Sequence, residues 1–402
     1  MYRRISVIVC GLLLILAGCT TPGLNNSNSN QTQQLVKKSS KGKQEKKVQI
    51  TPKVDTSEDY YRSVVNFKPS AARGDILYGV DNRLDIDELQ TGLMRLSKPT
   101  FPTNKFVFQE GQYLSSDTIE KWLGHKTKDD PEGLNEPLPA NFDKLPVDKR
   151  MAYLKEHPSY LSYVVEQDYL KQSGKNKLKL GGISLAISVP RVYSYQEQDA
   201  DGRIYRGEVQ LDTSTAEAKA KDFAETILQR VRSIDKGALK NVPVVIGLYQ
   251  EQSQSSLVPG DYFAKTVVPA GSDKVGDWKA VHETHVLFPA TGPDKAHSVD
   301  QDRFNKFMGD IEKYFPNYVG VIGKGFYKDQ NLQHLTINIP IKFYSETEVV
   351  SFTQYVSGLI SQHNPFPKDV PLDIYISSAA GPEALIVKKA DGKEPFVHVF
   401  HQ

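Results

Sequence analysis

Cys19 is the residue whose neighbours prescribe a reaction for it. It follows Leu16-Ala17-Gly18, and the small side chains of Ala17 and Gly18 let the backbone enter a peptidase cleft. The Cys19 thiol is then placed to accept a diacylglyceryl group as a thioether. Leu16, Ala17, Gly18 and Cys19 together match the bacterial lipobox. Cleavage is therefore expected between Gly18 and Cys19, with Cys19 opening the mature chain. The preceding residues fit a leader: Arg3 and Arg4 supply positive charge, and residues 5–16 form a largely apolar run. As a helix that run spans about 18 Å, short of a hydrocarbon core of about 30 Å, so it reads as a signal-peptide core rather than a membrane span. The chain has 2 cysteines. Cys10 leaves with the leader and Cys19 is acylated, so no disulfide is expected. Two acyl chains, at roughly 0.8 kcal/mol per buried CH₂, hold a protein durably on a bilayer. The expected location is the extracellular face of the cell membrane, with membrane lipid as a partner through diacylglyceryl-Cys19.

Other candidate chemistry is thin. His282-Glu283-Thr284-His285 suggests zinc, but a zincin needs His-Glu-x-x-His so that both imidazoles stack one helical turn apart. Here Val286-Leu287-Phe288-Pro289 reads as a strand running into a turn. Strand residues three apart face opposite ways, so both histidines are expected at the surface. Gly320-Val321-Ile322-Gly323-Lys324-Gly325 lacks the spacing and the Ser/Thr of a phosphate loop, and reads as a glycine turn leading into Phe326-Tyr327. There is no Gly-x-Ser-x-Gly elbow. Asp117 and Glu120 sit at a predicted helix start, where the helix dipole accounts for acids. No catalytic set, metal or cofactor is expected. The aromatic clusters Tyr193-Ser194-Tyr195, Phe101 to Phe108 and Tyr60-Tyr61 either line a groove for a peptide or glycan or pack a core; both readings stand.

The elements around these residues follow from composition and periodicity. Lys+Arg 50 against Asp+Glu 48 leaves +2 over 402 residues, which supplies no global basic field for nucleic acid. The charge is unevenly placed: Lys37, Lys38, Lys41, Lys43, Lys46 and Lys47 oppose only Glu45 in residues 19–50, while residues 51–402 are acidic on balance. Residues 19–57 have almost no large apolar side chains and read as a flexible basic linker. Residues 20–56 of it, about 37 in number, reach roughly 30–36 Å.

The body carries an internal repeat. Residues 183–194 (ISLAISVPRVYS) and 335–345 (LTINIPIKFYS) both alternate apolar and polar residues up to a proline and end in Tyr-Ser, the pattern of a half-buried strand. A Ser-x-x-Glu capping box follows each, Ser214…Glu217 and Ser345…Glu348. One-sided helices come next: Ala220, Phe223, Ala224, Ile227 and Val231 in the first, Phe352, Tyr355, Val356 and Leu359 in the second. Val-Pro strands start at Val242 and Val370. A helical pattern precedes each unit, on Tyr160, Tyr163, Val164 and Tyr169, then on Phe304, Phe307, Met308, Ile311 and Tyr314. An Asp391-Gly392 turn predicts a closing hairpin. The expected fold is α+β, with two α-β-α-β-β units, mainly antiparallel sheets and an elaborated N-terminal wrap. The boundaries are 1–18 signal peptide, 19–57 linker, 58–154 extension packed on the first unit, 155–275 first unit, 276–297 connector and 298–402 second unit.

The body also resembles a known family. Phe67-Lys68-Pro69-Ser70-Ala71-Ala72-Arg73-Gly74, Gly92-Leu93-Met94-Arg95-Leu96-Ser97, Phe101-Pro102-Thr103-Asn104-Lys105, Gln109-Glu110-Gly111-Gln112-Tyr113-Leu114, Glu166-Gln167-Asp168-Tyr169, Pro259-Gly260-Asp261 and Phe352-Thr353-Gln354-Tyr355-Val356 resemble the CamS-type sex-pheromone lipoproteins of Gram-positive bacteria. The resemblance covers about residues 60–402 and implies that a short apolar peptide is cut from the leader just before the lipidated cysteine. On this chain that peptide is Leu12, Leu13, Leu14, Ile15, Leu16, Ala17 and Gly18. Gly18 stands where Ala or Ser is expected. The resemblance further implies processing by a lipid transferase, signal peptidase II and an intramembrane protease, and it supplies no catalytic role for the body. The leading expectation is a non-enzymatic binding module with a peptide or cell-wall ligand. The alternatives are an envelope enzyme acting on peptide or glycan polymer, or an adhesion or spacer protein.

Overall fold

Period-two alternation on the 183–194 and 335–345 segments makes strands, and each strand sits near the middle of its own sheet. The computed structural model describes residues 49–54, 60–75, 85–174, 177–290, 295–314, 320–342, 345–390, 392 and 394–400. The signal peptide, the lipobox with Cys19, the basic stretch of the linker, Tyr344 and Asp391 lie outside the described residues.

The amino-terminal half runs β1 (Arg62–Ser63), α1 (Ile86–Ser97), β2 (Val107–Glu110), α2 (Ser116–Leu123), α3 (Val147–Glu156), β3 (Tyr163–Gln172), β4 (Leu178–Pro190), β5 (Val192–Gln198), β6 (Ile204–Gln210), α4 (Thr213–Ser233), β7 (Val244–Glu251), β8 (Asp261–Val268) and β9 (Lys279–Ala280). Seven of these strands form one sheet in the order β1-β2-β3-β4-β7-β8-β9, and β5-β6 stands apart as a hairpin. The other half runs β10 (Glu283–Phe288), α5 (Ser298–Tyr314), β11 (Ile322–Lys328), β12 (Asn331–Pro340), α6 (Glu346–His363), β13 (Leu372–Ser378), β14 (Gly381–Lys388) and β15 (Phe396–Val399). Its six strands form the second sheet in chain order.

The two sheets share an order of pairings. β3-β4 is antiparallel, β4-β7 parallel across the α4 crossover, and β7-β8 antiparallel. Likewise β11-β12 is antiparallel, β12-β13 parallel across α6, and β13-β14 antiparallel. The fold is α+β with mainly antiparallel pairing. Their cover differs. On the first sheet α4 packs Ala220, Phe223, Ala224, Ile227 and Val231 against Ile183, Leu185, Ile187, Val244 and Ile246. On its other face α1 packs Leu89, Leu93 and Leu96 against Ala186, Tyr249 and Tyr262. Covered on both sides, the central strand β4 is buried continuously from Gly182 to Pro190. In the second sheet α5 and α6 pack Phe304, Phe307, Phe352 and Val356 on Leu335, Ile337, Ile374 and Ile386. There the strands alternate buried and part-exposed residues, as one-sided cover requires.

Several expectations are corrected. The Tyr160 to Tyr169 pattern is not a helix: residues 163–172 are β3, because their pairing with β4 satisfies the backbone and aligns Tyr163 and Tyr169 with buried cores. The cap of α4 is Asp212, whose carboxylate accepts from the Thr215 N–H at 2.8 Å, so Ser214 lies inside the helix. Ser345 and Glu348 do form a capping box on α6. Gly323 and Gly325 are inside β11 rather than in a turn. The Phe304 ring presses so closely on Gly323 that an added Cβ would sit 2.4 Å from it. The stretch expected to be a connector gives β9 to the first sheet and β10 to the second.

His285 is also not a surface residue. Its Nδ1 lies 2.7 Å from Asp261 Oδ1 and its Nε2 3.7 Å from Glu88, with 12% of the side chain exposed. It belongs to a junction centred on Arg95 of α1. Arg95 Nε and Nη2 donate to the Glu283 carboxylate of β10 at 3.1 and 2.7 Å, and Nη2 also donates to Glu88 at 2.7 Å. The guanidinium lies 4.4 Å from the centre of the Phe326 ring. Burial opposes its charge, but the two carboxylates outweigh that and raise its pKa, while burial raises that of Glu88. Removing one partner of a buried ion pair leaves the other uncompensated, which typically costs about 3–5 kcal/mol. The part-exposed Arg95→Ala should therefore lose roughly 2–4 kcal/mol by urea unfolding. Adding Glu283→Gln should recover part of that loss, and a double variant no more stable than Arg95→Ala alone would refute the clamp.

Candidate ligand groove

The connection between β4 and α4 is where the halves differ most. It spans residues 191–212 in the first and only 341–345 in the second. The longer connection folds into the β5-β6 hairpin, paired from Val192↔Gln210 to Gln198↔Ile204. Its turn is fixed by Asp199, whose carboxylate accepts from the Asp201 and Arg203 N–H groups at 3.0 and 2.9 Å, and by Gly202 at φ 84°. Within the hairpin Tyr195 lies across Gly207, leaving no room there for a Cβ.

The hairpin is floored by a small core. Phe142 and Leu154, from the turn before α3 and from α3 itself, pack with Tyr193, Tyr195 and Leu211. Tyr193 and Tyr195 stack at 5.1 Å and are almost fully buried, so packing accounts for both, although Tyr193 also reaches the groove. Phe101, Phe106 and Phe108 likewise pack with Tyr169, against part-buried Tyr61. Tyr60 is exposed.

Above this floor lies a groove of about 400 Å³ whose walls include His125, Asp143, Arg150, Gln196, Glu197 and Ile204, within the usual range of roughly 300–1,000 Å³ for small-ligand sites. Arg150 is spent on the protein. Its Nε faces Glu197 at 2.8 Å, Nη1 donates to the carbonyls of Asp143 and Leu145, and Nη2 to that of Gln198. Burial raises the Glu197 pKa against the opposing effect of Arg150. Burial lowers that of His125, whose Nδ1 lies 2.6 Å from the Glu136 carbonyl. The walls thus offer carboxylates, amides and a neutral imidazole, with the one cation among these walls already engaged. Sequence reasoning named Tyr193 and Tyr195 but missed Asp143, Arg150 and Glu197. The available signal was the length of the 191–212 connection.

A second polar cluster lies on the first sheet. Glu166 and Asp168, two apart on β3, share one face. Glu166 Oε2 accepts from the Tyr113 and Leu114 N–H groups at 3.1 and 2.8 Å, and Asp168 from Gln112 N–H at 3.2 Å. On the neighbouring strand Glu110 accepts from the Ser70 N–H at 2.7 Å and pairs with Arg73. Burial and the adjacent Glu166 push Asp168 up to about 9; burial raises Glu166 as well. The adjoining cavity, about 20 Å³, holds no more than a water. This cluster ties segments 67–74 and 109–114 to β3. Elsewhere His282 is exposed just before β10 while His285 faces the Arg95 junction. Among the described residues no helix is long and apolar enough to cross a membrane.

Comparison with known proteins gives a consistent picture. Residues 67–394 match the family described as CamS sex pheromone cAM373 precursor. A crystal structure of a sex pheromone precursor from Lactobacillus salivarius subsp. salivarius UCC118 is 32% identical, with a TM-score of 0.75 over 88% of this chain and 99% of that one. The C-terminal domain of the sex pheromone staph-cAM373 precursor from Staphylococcus aureus is 27% identical, with a TM-score of 0.63 over 79% of this chain and 96% of that one. No curated protein matches.

The buried carboxyls make stability depend on pH in a stated direction. A carboxyl whose folded pKa lies above its unfolded value near 4 keeps a proton that the unfolded chain has released. Stability therefore falls as pH rises from about 4 toward about 9, by about 1 kcal/mol per unit for one such group. Glu251, buried beside Ser188 and pushed up to about 8, adds to the same slope. Asp168→Asn should flatten the decline of the urea midpoint between pH 5 and 9 without abolishing it. An unchanged slope would show that Asp168 is ionised in the folded protein.

Proposed function

Since the chain belongs to the CamS sex pheromone precursor family, we propose that it is a lipid-anchored extracytoplasmic lipoprotein whose leader yields a peptide pheromone and whose body is a non-enzymatic binding module. The observation that carries the anchoring is Leu16-Ala17-Gly18-Cys19 behind an apolar run too short to span a bilayer. Lipid transferase loads Cys19, signal peptidase II cuts after Gly18, and trimming of the released leader leaves Leu12 to Gly18 as the candidate pheromone. Diacylated Cys19 holds the body on the extracellular face of the cell membrane. Support for a binding role comes from the groove, whose walls are suited to hydrogen bonding.

One observation favours a second reading, an envelope enzyme acting on peptide or glycan polymer: the groove brings Asp143, Glu197 and Arg150 together, with burial raising the Glu197 pKa. Against it, Glu197 is paired with a guanidinium that four protein acceptors already hold.

Mass spectrometry of the mature amino terminus and of the culture medium tests the anchoring and the pheromone separately. Diacylated Cys19 with free LLLILAG in the medium is the expected result. Cys19→Ala should leave the leader uncut and abolish the peptide. Diacylated Cys19 without the peptide would remove the pheromone role alone. An unmodified Cys19 would remove the anchor as well.

A further inference from the structure

We propose that the groove between the β5-β6 hairpin and α3 binds a neutral glycan segment, held by its hydroxyls. The proposal rests on the reading of the body as a binding module and names its ligand class. Three observations carry it.

The hairpin is an addition to the frame. The second sheet makes the same antiparallel, parallel, antiparallel pairings with a connection of residues 341–345 in place of 191–212. The pairing order therefore does not require the hairpin, and what the hairpin builds is the groove.

The charge of the walls selects against anionic ligands and offers a cation a single carboxylate. Arg150 is held by Glu197 and by the carbonyls of Asp143, Leu145 and Gln198, and burial lowers the pKa of His125, which disfavours its cationic form. An anionic polymer thus meets no free cation in these walls and faces Asp143 and Glu197. A cationic side chain finds one partner. Glu197 is already neutralised by Arg150, which leaves Asp143 as the single unpaired charge among the wall residues named above. What remains are acceptors and amides, from Asp143, Glu197 and Gln196, which suit ligand groups that donate and accept without carrying charge.

The shape of the surface completes the match. Leu138 and the 52% exposed Ile204 give the groove apolar patches beside those polar groups. A sugar ring presents a C–H face flanked by hydroxyls, and such a ring places both kinds of surface against both kinds of wall. A volume of about 400 Å³ accommodates a short oligosaccharide rather than a single small ion.

Titration of the processed full-length protein with chitotriose and with maltotriose, followed by calorimetry, tests this. Saturable binding of at least one trisaccharide is expected. Asp143→Ala and Gln196→Ala should each weaken it by about tenfold, the loss expected for one hydrogen bond to a bound ligand. Ile204→Trp, at an exposed rim position, should block it. Unchanged thermal melting of the three variants shows that they fold. Absence of binding by both sugars would overturn the proposal, as would binding indifferent to all three substitutions. Tighter binding of an oligolysine peptide than of either sugar would overturn it in favour of a cationic ligand. Mass spectrometry of the sugar after incubation separates the two readings: an intact trisaccharide supports a binding module, whereas cleavage dependent on Glu197 would overturn the non-enzymatic reading and leave the ligand class standing.

Discussion

The placement of Arg95 ties the amino-terminal helix α1 to the first strand of the second sheet. Glu283 is buried at that point, and an isolated carboxylate there would pay the cost of leaving water with nothing in return. The bidentate contact from Arg95, the packing of Phe326 against the guanidinium and the nearby pairing of His285 with Asp261 remove that penalty together. These five groups come from four elements: α1, β8, β10 (Glu283 and His285) and β11. The contacts therefore fix more than a local hydrogen bond. They determine where α1 lies on the first sheet and, through β10, where the second sheet begins.

With that junction set, each half completes its own core. Both use a parallel pair at the centre, joined by a crossover helix and flanked by antiparallel partners. The difference between them is cover. α1 closes the second face of the first sheet, so β4 is buried on both sides and tolerates the run Ile183-Ser184-Leu185-Ala186-Ile187. The second sheet is covered by α5 and α6 on one face, so Thr336, Asn338 and Asp373 stand on the other, between buried Leu335, Ile337 and Ile374.

Much of this frame was readable in the sequence where local and global signals agree. The one-sided stripes of α4, α5 and α6, the Val-Pro strands and the Ser345 capping box each state their own structure. The segment from Tyr160 to Tyr169 misled because aromatic residues spaced three and six apart satisfy a helical count as well as a strand with both faces buried. Only its partner β4 decides the matter. His285 misled for the complementary reason: the strand was correctly read, but exposure is settled by what packs on the strand, and Asp261 and Glu88 are distant in sequence. The groove was the least readable part. Asp143, Arg150 and Glu197 meet only after α3 docks on the hairpin, and none lies in a motif with its own chemistry.

The resembling segments 67–74, 109–114 and 166–169 lie away from the groove walls. Residues 67–74, 109–114 and 166–169 meet around Glu110, Glu166 and Asp168, where buried carboxyls hold the 67–75 segment and the 111–115 loop onto β3. Arg95 and Asp261, also within resembling segments, belong to the junction between the sheets. Those positions specify the frame: each satisfies a buried polar group that another part of the chain leaves exposed to a low-dielectric interior. Asp143, Gln196, Glu197 and Ile204 lie outside them, on an inserted hairpin and on the turn that faces it. Family membership, over residues 67–394, speaks for the fold of this chain, while what the groove can hold follows from the side chains that line it.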